Sequence, residues 1–352
     1  MDNTGFTGEI KEQSAALKML TDYYGSPEGI TLLGRVADVC ASANRIVFTG
    51  MGTSLHSPYC IRKELETLPQ GIEIRDAGEL LHFGLSGINK DDAVIAVSQS
   101  GESAETKRVV KELKGKVPVV SIVNDETSFM GKHADYVLPM FAGNETSISN
   151  KTYTNTLSIL MLFSTCLMKN SIEICIKQLR GTAECMGTNI EQSASDASKA
   201  AEYFNCGSDG KILHTIARGS DLVSAYQSAL ILKEGGGVFG EGMSAGLFRH
   251  GPFELAGEGH SAAFFMSKEN EPELTMNLVK DTYGKGSKVL IVSDVVYSGG
   301  TDIMNVVIDT PYPRYFPILC APFIEFLVHE MAKMNGLTAG VFRNVSKITD
   351  IE

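Results

Sequence analysis

Apolar residues recur at helical spacing through the first forty residues of the chain. In Gly8–Tyr24 they include Ile10 and Leu17, and a second such pattern covers Ile30–Ser42. One apolar stripe every three to four residues is typical of a helix that packs on a core. The opening segment therefore predicts two amphipathic helices.

The periodicity then changes to short runs rich in β-branched residues, separated by helical patterns such as Ala104–Lys114. The runs of the first half are Arg45–Thr49, Ile72–Arg75, Ala93–Val97, Val117–Val123 and Tyr136–Met140. After a helical stretch at Thr154–Gln192, further runs follow at Ile212–Ala217, His260–Met266, Lys288–Ser293 and Val306–Asp309. Buried parallel strands that alternate with helices give this signature. The predicted fold class is α/β, with two doubly wound parallel sheets that carry helices on both faces, and the shared rhythm indicates an internal duplication.

This rhythm divides the chain into five expected segments. They are an N-terminal helical segment (1–28), a first α/β domain (29–168), a linking helix (169–203), a second α/β domain (204–336) and a C-terminal tail (337–352). A length of 352 residues is sufficient for two domains of this size.

Composition and charge narrow the classes of partner. The net charge of −11 argues against a general nucleic-acid surface, which needs a basic stripe. The N-terminus lacks a basic start followed by an apolar run, and apolar stretches such as Ser158–Met168 are too short to span a bilayer. We therefore expect a soluble, cytoplasmic protein that contacts neither membrane nor nucleic acid.

Cysteine and histidine spacing gives no sign of a metal site. The seven cysteines include no C-x-x-C pair, and the seven histidines show no H-x-x-H or H-E-x-x-H spacing. Reduced, buried thiols are the expected state of the cysteines. We expect no metal and no redox cofactor.

Two loops rich in glycine and hydroxyl groups follow strands of the first half. They are Gly50–Ser54 and Ser98–Ser103. Small residues let the backbone approach an anion, and a following helix N-terminus adds partial positive charge. An alternative is that these residues only cap the next helices. Neither loop is a Walker motif or G-x-G-x-x-G, so the pattern indicates a phosphomonoester rather than a nucleotide.

A second set of candidate residues lies in the other half. Glu234 ends an apolar helical pattern, and partial burial there would raise its pKa toward that of a useful base. His250 precedes Gly251-Pro252, and a histidine on a fixed turn can exchange protons near neutral pH. From the residues alone, the alternative remains that Glu234 is an exposed glutamate and His250 a structural histidine, neither with a catalytic role.

The segment Val97–Ser103 strongly resembles the S-Q-S-G-E-T/S loop of SIS (sugar isomerase) domains. The relative that it resembles is the isomerase half of glucosamine-6-phosphate synthases, and the resemblance runs from Glu9-Ile10 to the last residue. It implies that the two α/β domains are SIS domains and that the first binds a sugar phosphate. The residues implied to bind it are Gly52, Thr53, Ser54, Ser98, Gln99, Ser100, Ser103 and Ser147.

The resemblance also implies catalytic roles, because the family has L-K-E, K-H-G-P and R-N-L-A-K segments at matching positions. By similarity, Glu234 is the enolisation base and His250 is the ring-opening group, supplied by the neighbouring subunit of a homodimer. Lys347 forms a Schiff base with the ketose carbonyl. Such an amine must be unprotonated, so we expect Lys347 to be desolvated or near another cation.

Three departures from the synthase pattern bear on the reaction. The chain shows no glutaminase domain, so full synthase activity is not expected. Ile231 and Gln227 stand where the synthase has a lysine and a glutamate. Phe248–Pro252 and Glu254 look more like the fructosamine-6-phosphate deglycases of the same superfamily.

These features predict an enzyme that acts on a 6-phosphorylated amino sugar or sugar–amine adduct. It would open the ring and move a proton between C1 and C2, with aldose–ketose isomerisation or amine release as the outcome. The alternative is a non-catalytic sugar-phosphate sensor of the kind found in regulators. Residues 1–30 are too short and too weakly basic for the DNA-binding segment of such a regulator.

Overall fold

The computed structural model describes residues 5–205, 212–297, 303–344 and 346–347. Within these ranges it contains ten strands and thirteen α-helices, joined by short 3-10 and π-helical turns. The strands are β1 Arg45–Gly50, β2 Gly71–Asp76, β3 Asp92–Ser98, β4 Val119–Val123, β5 Tyr136–Pro139, β6 Ile212–Ala217, β7 Phe239–Ser244, β8 Ser261–Met266, β9 Lys288–Ser293 and β10 Met304–Val307. The helices are α1 Phe6–Tyr24, α2 Pro27–Ala41, α3 Thr53–His56, α4 Arg62–Leu65, α5 Ala77–Glu79, α6 Ala104–Leu113, α7 Phe129–His133, α8 Lys151–Leu167, α9 Ile172–Phe204, α10 Leu222–Ile231, α11 Ala245–Arg249, α12 Pro272–Gly284 and α13 Phe316–Met334.

The ten strands form two parallel five-stranded sheets. The first has the order β2-β1-β3-β4-β5, and the second, read from the matching edge, has the order β7-β6-β8-β9-β10. Strand for strand, the second sheet repeats the first, with the chain reversing direction of travel between β1 and β3 and again between β6 and β8. The predicted α/β fold class with two doubly wound sheets is confirmed, and the topology supports the internal duplication.

Each sheet belongs to its own compact unit, and both units are built from separated stretches of chain. The first-sheet unit comprises Ala15–Glu145, Lys151–Arg180 and Arg343–Glu352, and the second-sheet unit comprises Met1–Ser14, Thr146–Asn150 and Gly181–Phe342. Val47, Val94 and Val110 are fully buried in the core of the first-sheet unit. Ile216 and Phe264 are equally buried in the core of the second-sheet unit. Removing these side chains from water is the main source of stability of each unit.

Strand β7 has no counterpart among the apolar runs of the sequence. Its residues, F-G-E-G-M-S, include two glycines and a glutamate, and glycine weakens a strand pattern. The structure explains both glycines, because helix α10 lies directly on the strand. A Cβ on Gly240 or on Gly242 would lie 2.8 Å from the backbone of Ala229 or Ala225, respectively. Glycine is therefore required by the close approach of helix and strand.

Helix α13 is the most apolar long element of the second-sheet unit. Within the described residues, Pro313–Met334 is the one helical stretch long and apolar enough to cross a membrane, and 89% of its most apolar window is buried in protein. It is longer than Ser158–Met168, the apolar stretch noted in the sequence. Its burial identifies it as a core helix, since a helix that is hydrophobic all round packs inside a large domain.

Candidate functional site

The two hydroxyl-rich loops singled out in the sequence lie at the switch point of the first sheet, where the strand order reverses. Strands β1 and β3 are neighbours in register, and the loops 50–54 and 98–103 leave their carboxyl ends. Open α/β sheets bind ligands outside the carboxyl ends of their strands at the point where the strand order reverses. The structure thus brings seven of the eight predicted phosphate-binding residues to one edge of one sheet: Gly52, Thr53, Ser54, Ser98, Gln99, Ser100 and Ser103.

The hydroxyl groups of this loop pair do not cap the helices that follow. Ser103 occupies the N-cap position of α6, but its side chain makes no capping hydrogen bond. Its Oγ lies 3.2 Å from Ser98 Oγ, which also accepts a hydrogen bond from the Gly101 N–H. At the other loop, Gly52 is the N-cap of α3 and offers no side chain. The capping alternative therefore does not account for these residues, and they are available to an anion.

Lys347 lies beside a buried carboxylate of the first-sheet unit. Its Nζ donates to the Glu145 carbonyl oxygen at 2.5 Å and to Glu145 Oε1 at 3.1 Å. The Glu145 carboxylate is fully buried and also accepts from the Thr152 N–H and hydroxyl at 3.0 and 2.8 Å. The Lys347 side chain is mostly buried, in agreement with the expected desolvation, but its neighbour is an anion rather than another cation. A carboxylate at this distance stabilises an ammonium ion, so the structure shows the lysine in a paired, resting arrangement.

Ser147 belongs to the second-sheet unit, where its hydroxyl is held by a glutamate near the start of the chain. Glu9 accepts hydrogen bonds from the N–H and hydroxyl of Thr146, from the N–H and hydroxyl of Ser147, and from the Asn150 amide. Burial by itself would raise the pKa of Glu9, but the hydrogen bonds from Ser147, Thr146 and Asn150 bring it below its usual value. Glu9 is therefore ionised and holds this turn through its hydrogen bonds. Ser147 is buried beside it.

Glu234 lies in a π-helical turn, Leu232–Gly236, that extends helix α10. Such turns place an extra residue in a helix and are common at functional sites. The carboxylate is accessible to water, yet the protein around it removes part of its hydration, and this desolvation raises its pKa to about 7, against a lowering effect of Lys233. Near neutral pH the side chain is thus both proton acceptor and proton donor, as the sequence suggested.

His250 ends helix α11 with its ring exposed to solvent. The backbone N–H of His250 donates to the Leu247 carbonyl at 3.0 Å. Gly251 follows with φ 135°, a conformation that only glycine adopts readily. Across the described ranges the ring has no hydrogen-bond or ion-pair partner. The structure thus holds His250 on a fixed turn that is open to a second molecule.

Beneath this turn runs a buried chain of hydrogen bonds in the second-sheet unit. Ser287 Oγ lies 2.9 Å from His260 Nδ1, and His260 Nε2 lies 2.9 Å from His214 Nδ1. His214 Nε2 lies 3.2 Å from the Glu241 carboxylate. Burial lowers the pKa of His214 below its usual value, so the ring is neutral at pH 7. With its Nε2–H toward Glu241, a neutral His214 accepts at Nδ1 from His260 Nε2–H, and His260 Nδ1 then accepts from Ser287. Phe248 packs on both imidazoles, with ring centroids 5.2 and 5.9 Å away.

The direction of this chain requires both histidines to be neutral, which makes the stability of the unit sensitive to acid. Burial, and then the neighbouring His214, lower the pKa of His260 to about 4. The unfolded chain takes up the corresponding proton near pH 6.5, so the free energy of unfolding should fall as the pH drops from about 6.5 to about 4, by about 3 kcal/mol. Urea unfolding followed by circular dichroism at pH 7 and at pH 4.5 measures the difference.

A matched pair of variants isolates the contribution of His260 from that of other acidic transitions. Replacing His260 with glutamine keeps a donor toward His214 and removes the titrating group, so the loss of stability in acid should shrink. His82→Gln changes an exposed histidine and should leave it unchanged. An equal loss in native protein and in the His260→Gln variant would show that His260 does not resist protonation.

Comparison with known proteins agrees with the geometry of the first sheet. Residues 40–166 match the SIS domain family. Over 347 residues the chain is 27% identical to a glutamine–fructose-6-phosphate aminotransferase (isomerizing) of Pyrococcus horikoshii, covering 98% of this chain and 57% of that protein. The chain thus spans less than three fifths of the length of this relative.

Solved structures give the same result for the fold. The C-terminal domain of a glucosamine–fructose-6-phosphate aminotransferase from Francisella tularensis superimposes with a TM-score of 0.81 and 19% identity, over 96% of this chain and 98% of that one. A glucosamine-6-phosphate deaminase from Thermotoga maritima does so with a TM-score of 0.70 and 19% identity, over 97% and 98%. The protein is an α/β protein of two parallel sheets that carries a SIS domain. Over nearly its whole length it is related to the isomerase part of the aminotransferases, which confirms the resemblance seen in the sequence.

Proposed function

We propose that this chain is a phosphosugar isomerase-type enzyme that acts on a 6-phosphorylated amino sugar or sugar–amine adduct. The observation that carries the proposal is the loop pair at the switch point of the first sheet. Its hydroxyl groups and backbone N–H groups suit a phosphoryl group, and the loops lie within the region that matches the SIS domain.

The side chains of the second-sheet unit supply the proton chemistry of this proposal. His250 protonates the ring oxygen as the sugar opens. Glu234 then takes a proton from one of the carbons C1 and C2 and returns it to the other, while the hydroxyl proton of one of the oxygens O1 and O2 passes to the other. A carboxyl group with a pKa of about 7 is matched to both halves of this transfer at neutral pH.

Lys347 is proposed to act on the ketose carbonyl. Its unprotonated amine bonds to the carbonyl carbon, and the carbonyl oxygen leaves as water, which forms an imine. Glu145 accepts the proton that the ammonium must lose before it attacks, since the two groups are paired in the structure. On an aminated sugar, isomerisation gives an imine of the substrate's own amine; water adds to its carbon, the carbon–nitrogen bond breaks, and the amine leaves as the ketose carbonyl forms.

The identity of two buried residues favours amine release or isomerisation over amination. Ile231 is fully buried and Gln227 nearly so, at positions where the synthases have charged groups. An apolar side chain at 231 cannot relay protons, so part of the amine-handling machinery of the synthases is absent at this position. Deamination and deglycation remain the reactions to test beside plain isomerisation.

The proposal includes the expected organisation of the protein. A sugar-phosphate domain at 29–168 would work with a catalytic domain at 204–336 in a cytoplasmic homodimer. The exposed ring of His250 on its fixed turn supports this arrangement, because the ring is presented to a second molecule rather than to its own unit.

Two measurements test the function and the shared site together. Turnover of a panel of hexose 6-phosphates, glucosamine 6-phosphate and fructosamine 6-phosphates is followed for both isomer and free amine, and we expect one class to react. A mixture of the inactive Glu234→Gln and His250→Ala variants should then regain up to about a quarter of native activity, because mixed dimers contain one intact site.

The outcomes separate the parts of the proposal. Binding of sugar phosphates without turnover of any of them would leave the sensor function. Activity in the panel without recovery in the mixture would place His250 in the site of its own chain. Absence of any sugar-phosphate binding would overturn the proposal as a whole.

A further inference from the structure

The second sheet carries its own copy of the phosphate loop pair, at the matching switch point between β6 and β8. The copy consists of the loops 218–221 and 267–271. Gly52 and Gly219 occupy the same place in the two copies and have nearly the same backbone angle, with φ 53° and 56°. Thr53 then corresponds to Ser220, so the hydroxyl is conserved between the copies.

The copies differ at the next position, where Ser54 of the first loop pair corresponds to Asp221 of the second. On the neighbouring strand, Ser98 is the last residue of β3, and Ser267 directly follows the end of β8. In the second sheet, Asp221 and Ser267 bind each other. The Asp221 carboxylate accepts from the Ser267 N–H at 2.7 Å and from its hydroxyl at 2.8 and 3.1 Å.

Two further polar groups of the second loop pair, the Asn270 side chain and the Ser220 N–H, also form hydrogen bonds within it. The Asn270 amide donates to Ser267 Oγ at 3.2 Å, and the Ser220 N–H donates to Asn270 Oδ1 at 3.1 Å. Asp221 and Ser267 are fully buried. The N–H and hydroxyl of Ser267 and the N–H of Ser220 are therefore already engaged by side chains of the same loop pair.

The first loop pair shows the opposite state. Ser54 is only half-buried, and its hydroxyl has no hydrogen-bond partner in the portion of the chain that the structure describes. The Ser98 hydroxyl contacts only its own loop, through Ser103 and the Gly101 N–H. The first copy therefore presents a hydroxyl, that of Ser54, at the position where the second copy has the Asp221 carboxylate.

We propose that Asp221 is a built-in replacement for a phosphoryl group, and that it closes the second loop pair so that each chain binds one sugar phosphate. This inference rests on the proposed function, in which the first loop pair binds the phosphoryl group. Asp221 fills the space in either protonation state and repels an anion when it is ionised. Burial raises its pKa to about 7, although hydrogen bonds from Ser267 and Asn270 oppose the shift.

The test exchanges the two residues between the copies. Native protein and the variants Asp221→Ser, Ser54→Asp and the double exchange are dialysed to equilibrium against radiolabelled inorganic phosphate, with folding checked by circular dichroism. We expect one phosphate bound per native chain, two for Asp221→Ser, none for Ser54→Asp and one for the double exchange.

Each outcome decides the inference. Two phosphates on the native chain, or no gain in a folded Asp221→Ser protein, would overturn it. If the native chain binds none, the proposed first site fails, and the inference still stands or falls on whether Asp221→Ser gains one. If Asp221→Ser does not fold, Ser54→Asp decides, because unchanged binding in that variant would show that a carboxylate at this position does not displace phosphate.

Discussion

The Glu234→Gln variant is expected to bind sugar phosphates as tightly as the native protein and to lose turnover by between a hundredfold and about ten-thousandfold. Removing a general base from the proton-transfer step costs this range of rate. Glutamine keeps the size and polarity of the side chain, so the π-helical turn that carries it should be retained. Steady-state kinetics, together with calorimetric titration of the substrate, separate the two effects.

The pH dependence of the native enzyme should report the same carboxyl group. Desolvation raises the pKa of Glu234 to about 7, so the basic form appears only as the pH rises through that value. The rate kcat/KM is therefore expected to increase from pH 6 to pH 8 and to level off above. The residual activity of Glu234→Gln should lack this rise.

An exposed glutamate of the same unit provides the control. Glu258→Gln removes one negative charge from the surface and should change neither turnover nor its pH profile. Normal turnover in Glu234→Gln would remove this residue from the mechanism. Loss of binding in that variant would instead make Glu234 a ligand of the sugar rather than its base.

The parts of the fold that could be predicted from sequence are those built from local pattern. Strand β6 has the bounds that its apolar run indicates, β1 is longer than its run by one residue at the carboxyl end, and β3 is longer by one residue at each end. Strand β7 could not be predicted, because its glycines are required by the close approach of the helix α10 backbone. No local sequence pattern shows that contact. Helix α13 was not predicted because Pro322 interrupts its helical pattern, and burial of the helix overrides the cost of this proline.

The candidate site shows the same division between local and distant information. The loop at Ser98–Ser103 was visible because its residues are contiguous. Glu9 and Glu145 were not singled out, because Glu9 binds residues about 137 positions away and Glu145 binds Lys347 at a separation of 202. A lone carboxylate in a polar stretch reads as solvated, and only the fold reveals its partner.

Substitution of Lys347 is expected to give the second large loss of turnover. At this residue the role inferred from the sequence and the contact seen in the structure differ. The proposed imine needs a free amine, whereas the structure pairs the group with buried Glu145. Lys347→Arg preserves the positive charge toward the carboxylate but cannot be deprotonated, so it cannot form an imine. We expect this variant to keep native stability and to lose turnover at least about a hundredfold.

Lys347→Met isolates the ion pair. It removes the amine and leaves the buried carboxylate without the positive charge of the lysine, so it should lose turnover and also about 2 to 4 kcal/mol of the free energy of unfolding. Borohydride reduction in the presence of the ketose phosphate, followed by peptide mass spectrometry, should label Lys347 in the native protein and neither variant. Lys132→Met, a change at an exposed lysine, should leave rate, stability and labelling unaltered. Full turnover in Lys347→Arg would reduce the role of this lysine to pairing with Glu145, because a guanidinium group can replace the charge of the amine but not its nucleophilic nitrogen.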